Sequence, residues 1–220
     1  QIEYPVILKF RNDDGIFLRP SERYLKADNA STLREAWRLF HGRQPHPIIQ
    51  QYISGDGYGF EALYDNDGTA VATFQHRRLV ECPPEGGPSA LCESVSIEDL
   101  ERQGRRLLDG LGWRGVAMVE FRRCSRTGDL YVLEINPRFW GSLPLSEAAG
   151  VNFPELYYRS ARGEAVQAED YQTGVRSRLL PAYLISSAMS MRRGCPGFLR
   201  GCRQIANLID PRVHEGLMSL

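Results

Sequence analysis

The chain has 220 residues, 42% of them hydrophobic, enough for one large domain or two small ones with a real core. Lysine plus arginine and aspartate plus glutamate both total 27, which gives no support to nonspecific binding of nucleic acid or an acidic membrane surface. No apolar run approaches the roughly 20 residues of a membrane helix, and five scattered cysteines without a CxxC pair, beside four histidines off zinc-ligand spacing, predict reduced thiols in a cytoplasmic protein.

In chain order, "YPVILKF" (4–10) predicts a short buried strand, residues 11–22 a polar loop and "RYLKAD" (23–28) a second strand. "NASTLREAWRLF" (29–40) predicts a helix with a serine N-cap and apolar positions at Leu33, Ala36, Trp37 and Phe40. "HPIIQQYI" (46–53) returns to strand. Residues 54–79 open with glycines and continue as two strands joined by the turn "DNDG". Residues 80–90 predict a long loop. Residues 96–113 predict a helix with Ser96 and Asp99 as a capping box. "GVAMVEFRR" and "DLYVLEINP" predict two strands around "CSRTG", followed by helices near 142–149 and 153–163. Residues 164–178 are polar and linker-like, and 181–209 are mainly helical by pattern. The mixture argues an α+β fold. The start in mid-pattern, "QIEYPVILKF", leads us to expect a piece of a longer protein.

The stretch "DLYVLEINPRFWG" (129–141) sets Glu134 and Asn136 two residues apart on a strand, hence on one face, shared with Leu130 and Val132 by strict alternation. If the turn centres on Thr127, Glu120 lies opposite Glu134 and Met118 opposite Asn136. A bulge at Gly128 would shift that register. Like charges directly opposed are destabilising. Two carboxylates and an amide oxygen at one spot suit a hard divalent cation such as Mg2+. The competing interpretation is a pair of solvated glutamates at the rim of a sheet.

The order "PVILK", "IIQQYISGDG", "RGVAMVEFR", "YVLEINPRFWGS" resembles the ATP-grasp superfamily, in particular its carbamoyl-phosphate-synthase-like and carboxylate–amine ligase members. The resemblance covers roughly residues 4–160, and "VEF…LEINPR" is its most specific part. It implies two α+β lobes with the nucleotide between them: a small lobe over 1–52, a large lobe with the metal-binding hairpin over 53–163, and a helical C-terminal extension over 164–220. It also implies a preceding α/β domain that this chain lacks, so the chain by itself is expected to bind nucleotide better than it turns it over.

By this resemblance Glu120, Glu134 and Asn136 match metal ligands for Mg2+, with Mn2+ left open as a substitute. Arg138 matches an arginine near the transferred phosphate or the substrate carboxylate, where a guanidinium fork fits either. Otherwise it is a surface ion pair. Lys9 matches the lysine on ATP phosphate. It is one of only two lysines, Lys9 and Lys26, in a chain of 25 arginines, and it interrupts an apolar strand. Otherwise it snorkels at a strand end. Gln51, Tyr52 and Ile53 match the hinge that meets the adenine edge, and Asp56 the ribose, unless "SGDGYG" is merely a flexible turn. Arg78, in the loop "HRRLVECPPEGGPSALCES" (76–94), would hold a substrate carboxylate, with Gly86 and Gly87 allowing close backbone approach. Otherwise 76–94 is an ordinary surface loop.

One departure stands out. The family's glycine-rich phosphate flap carries a second basic residue, but "RNDDGIFLRPSERYLK" has one glycine and three candidates, Arg19, Arg23 and Lys26. The activity implied is an ATP- and Mg-dependent ligation of a small-molecule carboxylate to an amine or ammonia through an acylphosphate. Phosphotransfer without ligation, or a nucleotide-binding module without turnover, are the alternatives. No nucleic acid or membrane partner is expected, and homo-oligomer formation stays open, as do the acceptor acid and amine.

Overall fold

The computed structural model describes residues 2–11, 24–84 and 86–216, in two compact units, Gln1–Ser54 and Gly55–Leu220. Arg19 and Arg23, two candidates for the second phosphate charge, lie outside the described residues.

In the first unit, β1 (Val6–Lys9) is flanked by β2 (Tyr24–Ala27) and β3 (Ile48–Gln51), both antiparallel to it. Val6 and Leu8 alternate onto one face and join Phe10, Ala27 and the Leu33, Ala36 and Phe40 stripe of α1 (Ala30–Arg43) in a single core. Asn29, not a serine, caps α1: its Oδ1 accepts from the N–H groups of Ser31 and Thr32, and Thr32 returns the bond to the Asn29 N–H.

The second unit is built on a seven-stranded sheet, ordered β10-β9-β6-β5-β4-β7-β8. Its strands are β4 (Gly55–Tyr64), β5 (Ala70–Glu81), β6 (Ser89–Ser94), β7 (Gly115–Cys124), β8 (Leu130–Asn136), β9 (Arg176–Arg178) and β10 (Val213–Glu215). Alternation sends Phe60, Ala62, Ala117, Val119 and Phe121 to one face, where α2 (Glu98–Gly110) covers them with Leu100 and Leu108. Gly104 lets that helix close on the sheet, since a Cβ there would stand 2.2 Å from Phe60 Cδ1. The other face carries Leu63, Phe74 and Met118 against Trp140, α3 (Leu143–Ala148) and α4 (Phe153–Ala161).

Several local expectations change. Helix α2 starts at Glu98 with Ile97 as N-cap, and no side chain caps it. Ser96 and Asp99 therefore form no capping box, and Gln75 Oε1 accepts the Ile97 N–H instead. The expected loop 80–90 is shorter, because β5 runs to Glu81 and β6 begins at Ser89. Residues 164–220 belong to the second unit. Part of the linker-like stretch is β9, paired with β6, and β10 pairs in parallel with β9. Between them α5 (Leu180–Met191) and α6 (Gly194–Ala206) pack together, and Tyr183 is buried against Val80 and Ala90. These strand pairings fold the C-terminal residues onto the sheet, where sequence pattern alone suggested an extension.

Candidate functional site

The register of the β7–β8 hairpin sets the site. Glu120 lies opposite Glu134, and Met118 opposite Asn136. The irregularity falls at Leu133, because the next pair is Phe121 with Val132. It is not at Gly128. One extra residue inverts the alternation, so Leu130 and Val132 lie on the α2 face and not with Glu134 and Asn136. Leu130 accordingly joins the α2-side core. The bulge thus lets an apolar strand start and a polar strand end coexist on one short segment.

Asn136 sits between the two carboxylates. Its Nδ2 donates to Glu134 Oε1 at 3.0 Å and approaches Glu120 Oε1 at 3.4 Å. Arg138, exposed, donates to Asn136 Oδ1 at 3.2 Å and to Phe139 O at 3.0 Å. The opposed charges are therefore bridged by an amide, and a fourth group holds that amide's orientation.

Arg78 reaches the same place from two strands away. Its Nη2 lies 2.7 Å from Glu120 Oε2, although β4 runs between β5 and β7. Gly57 and Gly59 explain the reach. They alternate onto the Glu120 face of β4 and leave a trough without side chains. A Cβ on Gly57 would stand 2.9 Å from both Arg78 Cδ and Glu81 Oε1, and one on Gly59 2.3 Å from His76 Cε1. The glycines after Ser54 are thus strand residues that clear a path, not a turn. Their i, i+2 spacing was the signal in the sequence.

The trough is lined by charge that sequence reasoning did not single out. Arg122 Nη2 lies 3.1 Å from Glu81 Oε1, and its Nη1 donates to Gly55 O at 3.1 Å. Arg78 Nη1 donates to Gly87 O at 3.1 Å, so Gly87 does bring backbone against this arginine. Beneath lies a closed pair: His76 Nδ1 is 2.6 Å from Glu61 Oε1, with both side chains no more than 1% exposed. Glu61 Oε2 and His76 Nε2 are buried without a hydrogen-bond partner among the described residues. Nearby Cys92 is fully buried, and burial, helped by the Glu61 charge, pushes its thiol up to about 12.

The remaining candidates lie elsewhere. Asp56 is on the α2 face of β4, paired with Arg77 at 2.6 Å, so the structure does not bring it to the Glu120 face. Lys9, Gln51, Tyr52 and Ile53 belong to the first unit. Lys9 is half-buried on the face of β1 away from the core, and no ion pair holds it among the described residues. Lys26 is held by Asp28 at 3.1 Å and stacks 4.8 Å over the Tyr52 ring.

The donor set fits a hard divalent cation. Glu120 and Glu134 supply carboxylate oxygens from one small area, and Asn136, whose Nδ2 faces both carboxylates, would add its Oδ1 once its amide turns over; no sulfur or imidazole is among these donors. No group of three or more His, Cys, Asp and Glu placed to hold a metal ion occurs among the described residues, so the third donor beside Glu120 and Glu134 would be the Asn136 amide.

The family model described as "ATP-grasp in the biosynthetic pathway with Ter operon" matches residues 43–180. Among curated proteins, acetyl-CoA carboxylase 2 of Oryza sativa subsp. japonica is 33% identical over 165 residues, 70% of this chain and 7% of that protein. Acetyl-CoA carboxylase 2 of Arabidopsis thaliana is 29% identical over the same shares. The chain thus spans a small part of these relatives. Among solved structures, the biotin carboxylase domain of Hydrogenobacter thermophilus 2-oxoglutarate carboxylase, in complex with MgADP, ADP and bicarbonate, superposes with a TM-score of 0.63 at 18% identity. It covers 80% of this chain and 40% of that one. N5-carboxyaminoimidazole synthetase from Staphylococcus aureus, complexed with ADP, gives 0.62 at 17% identity over 79% and 45%. At such identities the likeness is one of fold. The matched stretch runs from the end of α1 to the start of α5 and contains the whole trough, and on that match the chain belongs to the ATP-grasp family.

Proposed function

We propose that this chain carries the nucleotide and metal site of an ATP-dependent ligase that joins a carboxylate to an amine or ammonia through an acylphosphate. The observation that carries it is the convergence of Glu120, Glu134 and Asn136 with Arg78 and Arg138 on one face of the sheet. Glu120, Glu134 and Asn136 would hold Mg2+, which when bound neutralises phosphate charge in phosphoryl transfer. Asn136 would turn its amide over to present Oδ1, releasing Arg138 to an oxyanion. Lys9 would contact the nucleotide phosphates, and Gln51, Tyr52 and Ile53 the adenine edge. Arg78 would orient the acceptor carboxylate. No side chain is required to form a covalent bond, so the residues act by positioning and by charge. The names of the relatives support the class: a biotin carboxylase domain bound to MgADP and a carboxyaminoimidazole synthetase bound to ADP share this fold.

The test is calorimetry of MgADP on the wild-type chain and Glu134→Gln. The variant is expected to bind at least about tenfold more weakly, consistent with loss of a charged ligand, while its unfolding temperature stays level or rises as like-charge repulsion goes. Unchanged MgADP affinity would remove the metal assignment.

A further inference from the structure

Arg78 has two carboxylates within reach and holds one of them far more closely. Its Nη2 is paired with Glu120 at 2.7 Å, while its Nη1 stands 3.8 Å from Glu81 Oε1. That Glu81 oxygen is buried and makes no hydrogen bond; Arg122 lies 3.1 Å away without hydrogen-bond alignment. Arg122 Nη1 meanwhile donates to Glu81 Oε2 at 3.2 Å and fixes the carboxylate in place. Arg78 and Glu81 are both nearly buried, with side chains 8% and 12% exposed, so neither charge can turn to bulk water for compensation. The Nη1 bond to Gly87 O anchors Arg78 independently of Glu120.

Glu120 is also the residue the proposed function assigns to a divalent cation, and the inference rests on that reading. Arg78 sits on Glu120 Oε2, while Oε1 faces Asn136; a cation at this carboxylate repels the guanidinium's charge, and one held by both oxygens leaves Arg78 no room at Oε2. We propose that Arg78 has two seats: cation binding at Glu120 moves it to Glu81, and there its Nη2 faces the trough to hold the anionic acceptor. Glu81 is then a positioning residue, and Arg122 keeps it in place. The device orders the reaction. Before metal nucleotide arrives, the acceptor's arginine is occupied by Glu120; afterwards it is available. By linkage, metal nucleotide and anion strengthen each other's binding by the same factor.

The test follows the Arg78 Nε–H and Asn136 side-chain amide signals by two-dimensional NMR on the full 220-residue chain, the former assigned with Arg78→Lys. MgADP is expected to move both signals, and ADP with EDTA neither. Inorganic phosphate, titrated as the anion probe, is expected to bind roughly tenfold more tightly with MgADP than with ADP and EDTA, within the usual range of coupled sites. Glu81→Gln should keep the Asn136 response and lose most of that gain, and Glu81→Asp should restore part of it. If MgADP moves Asn136 but leaves Arg78 still, the two-seat proposal falls and the metal site stands. If neither moves, both fall. Equal phosphate affinity in Glu81→Gln and wild type, under MgADP, removes Glu81 from the role.

Discussion

At the scale of single residues, environment separates five cysteines of one chemistry. Cys92 is fully buried with its thiol raised to about 12, by burial first and the Glu61 charge second. Cys124 sits at the hairpin turn, and hydrogen bonds from the Thr127 and Arg126 backbone hold its thiol below the ordinary value. Cys195 and Cys202 are exposed on α6. Alkylation of the native chain near pH 7.5, read by peptide mass spectrometry, should therefore label Cys124 first and leave Cys92 untouched until the chain unfolds. The sign of the alkaline response follows. An unfolded Cys92 ionises above its ordinary value of 9.0 whereas the native one holds its proton to about 12, so stability is lost as pH rises through that interval. Denaturant melts at pH 8 and pH 10.5 should show lower stability at the higher pH, and Cys92→Ala should shrink the difference.

At the scale of elements, strand β4 does two jobs with one pattern. Three of its residues facing α2, Tyr58, Phe60 and Tyr64, are large, and Gly57 and Gly59 on the other face clear the trough. The two glycines should answer differently to alanine. At Gly59 the new Cβ would meet His76 at 2.3 Å and Glu61 Oε1 at 2.4 Å, both buried and bonded to each other. Nothing there can give way, and overpacking should cost about 1–3 kcal/mol in a urea melt. At Gly57 the clash, at 2.9 Å, is with the Arg78 stem and the end of Glu81. Gly57→Ala should therefore melt close to wild type while displacing Arg78, and the Arg78 Nε–H signal would report that. Equal stability losses in the two variants would contradict this division. A similar argument from the same contacts makes Gly104 the point where α2 meets Phe60.

At the scale of the whole molecule, the hydrophobic clusters respect the division between the units. One lies wholly within the first, and the others lie within Gly55–Leu220. Residues 55–220 expressed alone should keep a cooperative thermal transition, because their cores and the trough are complete. They should bind MgADP more weakly than the full chain, since Lys9, Gln51, Tyr52 and Ile53 are gone. Residues 1–54 alone should melt broadly or not fold, as so short a chain buries too little surface. A sharp transition from 1–54 alone, or no transition from 55–220, would show that the units depend on each other.

The sequence by itself determined the α+β class and most strands and helices, because these rest on local periodicity. The facing of Glu120 with Glu134 is expected from a turn centred on Thr127, but the pairs nearer the turn, such as Phe121 with Val132, are one residue out of that register, and the facing is restored only by the bulge at Leu133. The family match covers residues 43–180, which include the "VEF…LEINPR" segments, and needs no tertiary information. Other features depended on contacts distant in sequence. The bulge at Leu133 is decided by which residues the α2 core takes in, and so Val132 changes face. Asn29 displaced the expected serine as N-cap because the geometry of the β2–α1 connection, not residue type alone, selects the cap. Arg78 looked like a loop residue, yet it is nearly buried in β5 and reaches Glu120 only because β4 brings two glycines between them. Asp56, plausible by position, turned to Arg77 on the other face, since alternation along β4 leaves it no choice. Strand pairing converts sequence distance into neighbours one pleat apart, and for Arg78, Glu81, Arg122 and Glu120 that conversion, made by the assembled sheet alone, is what creates the trough.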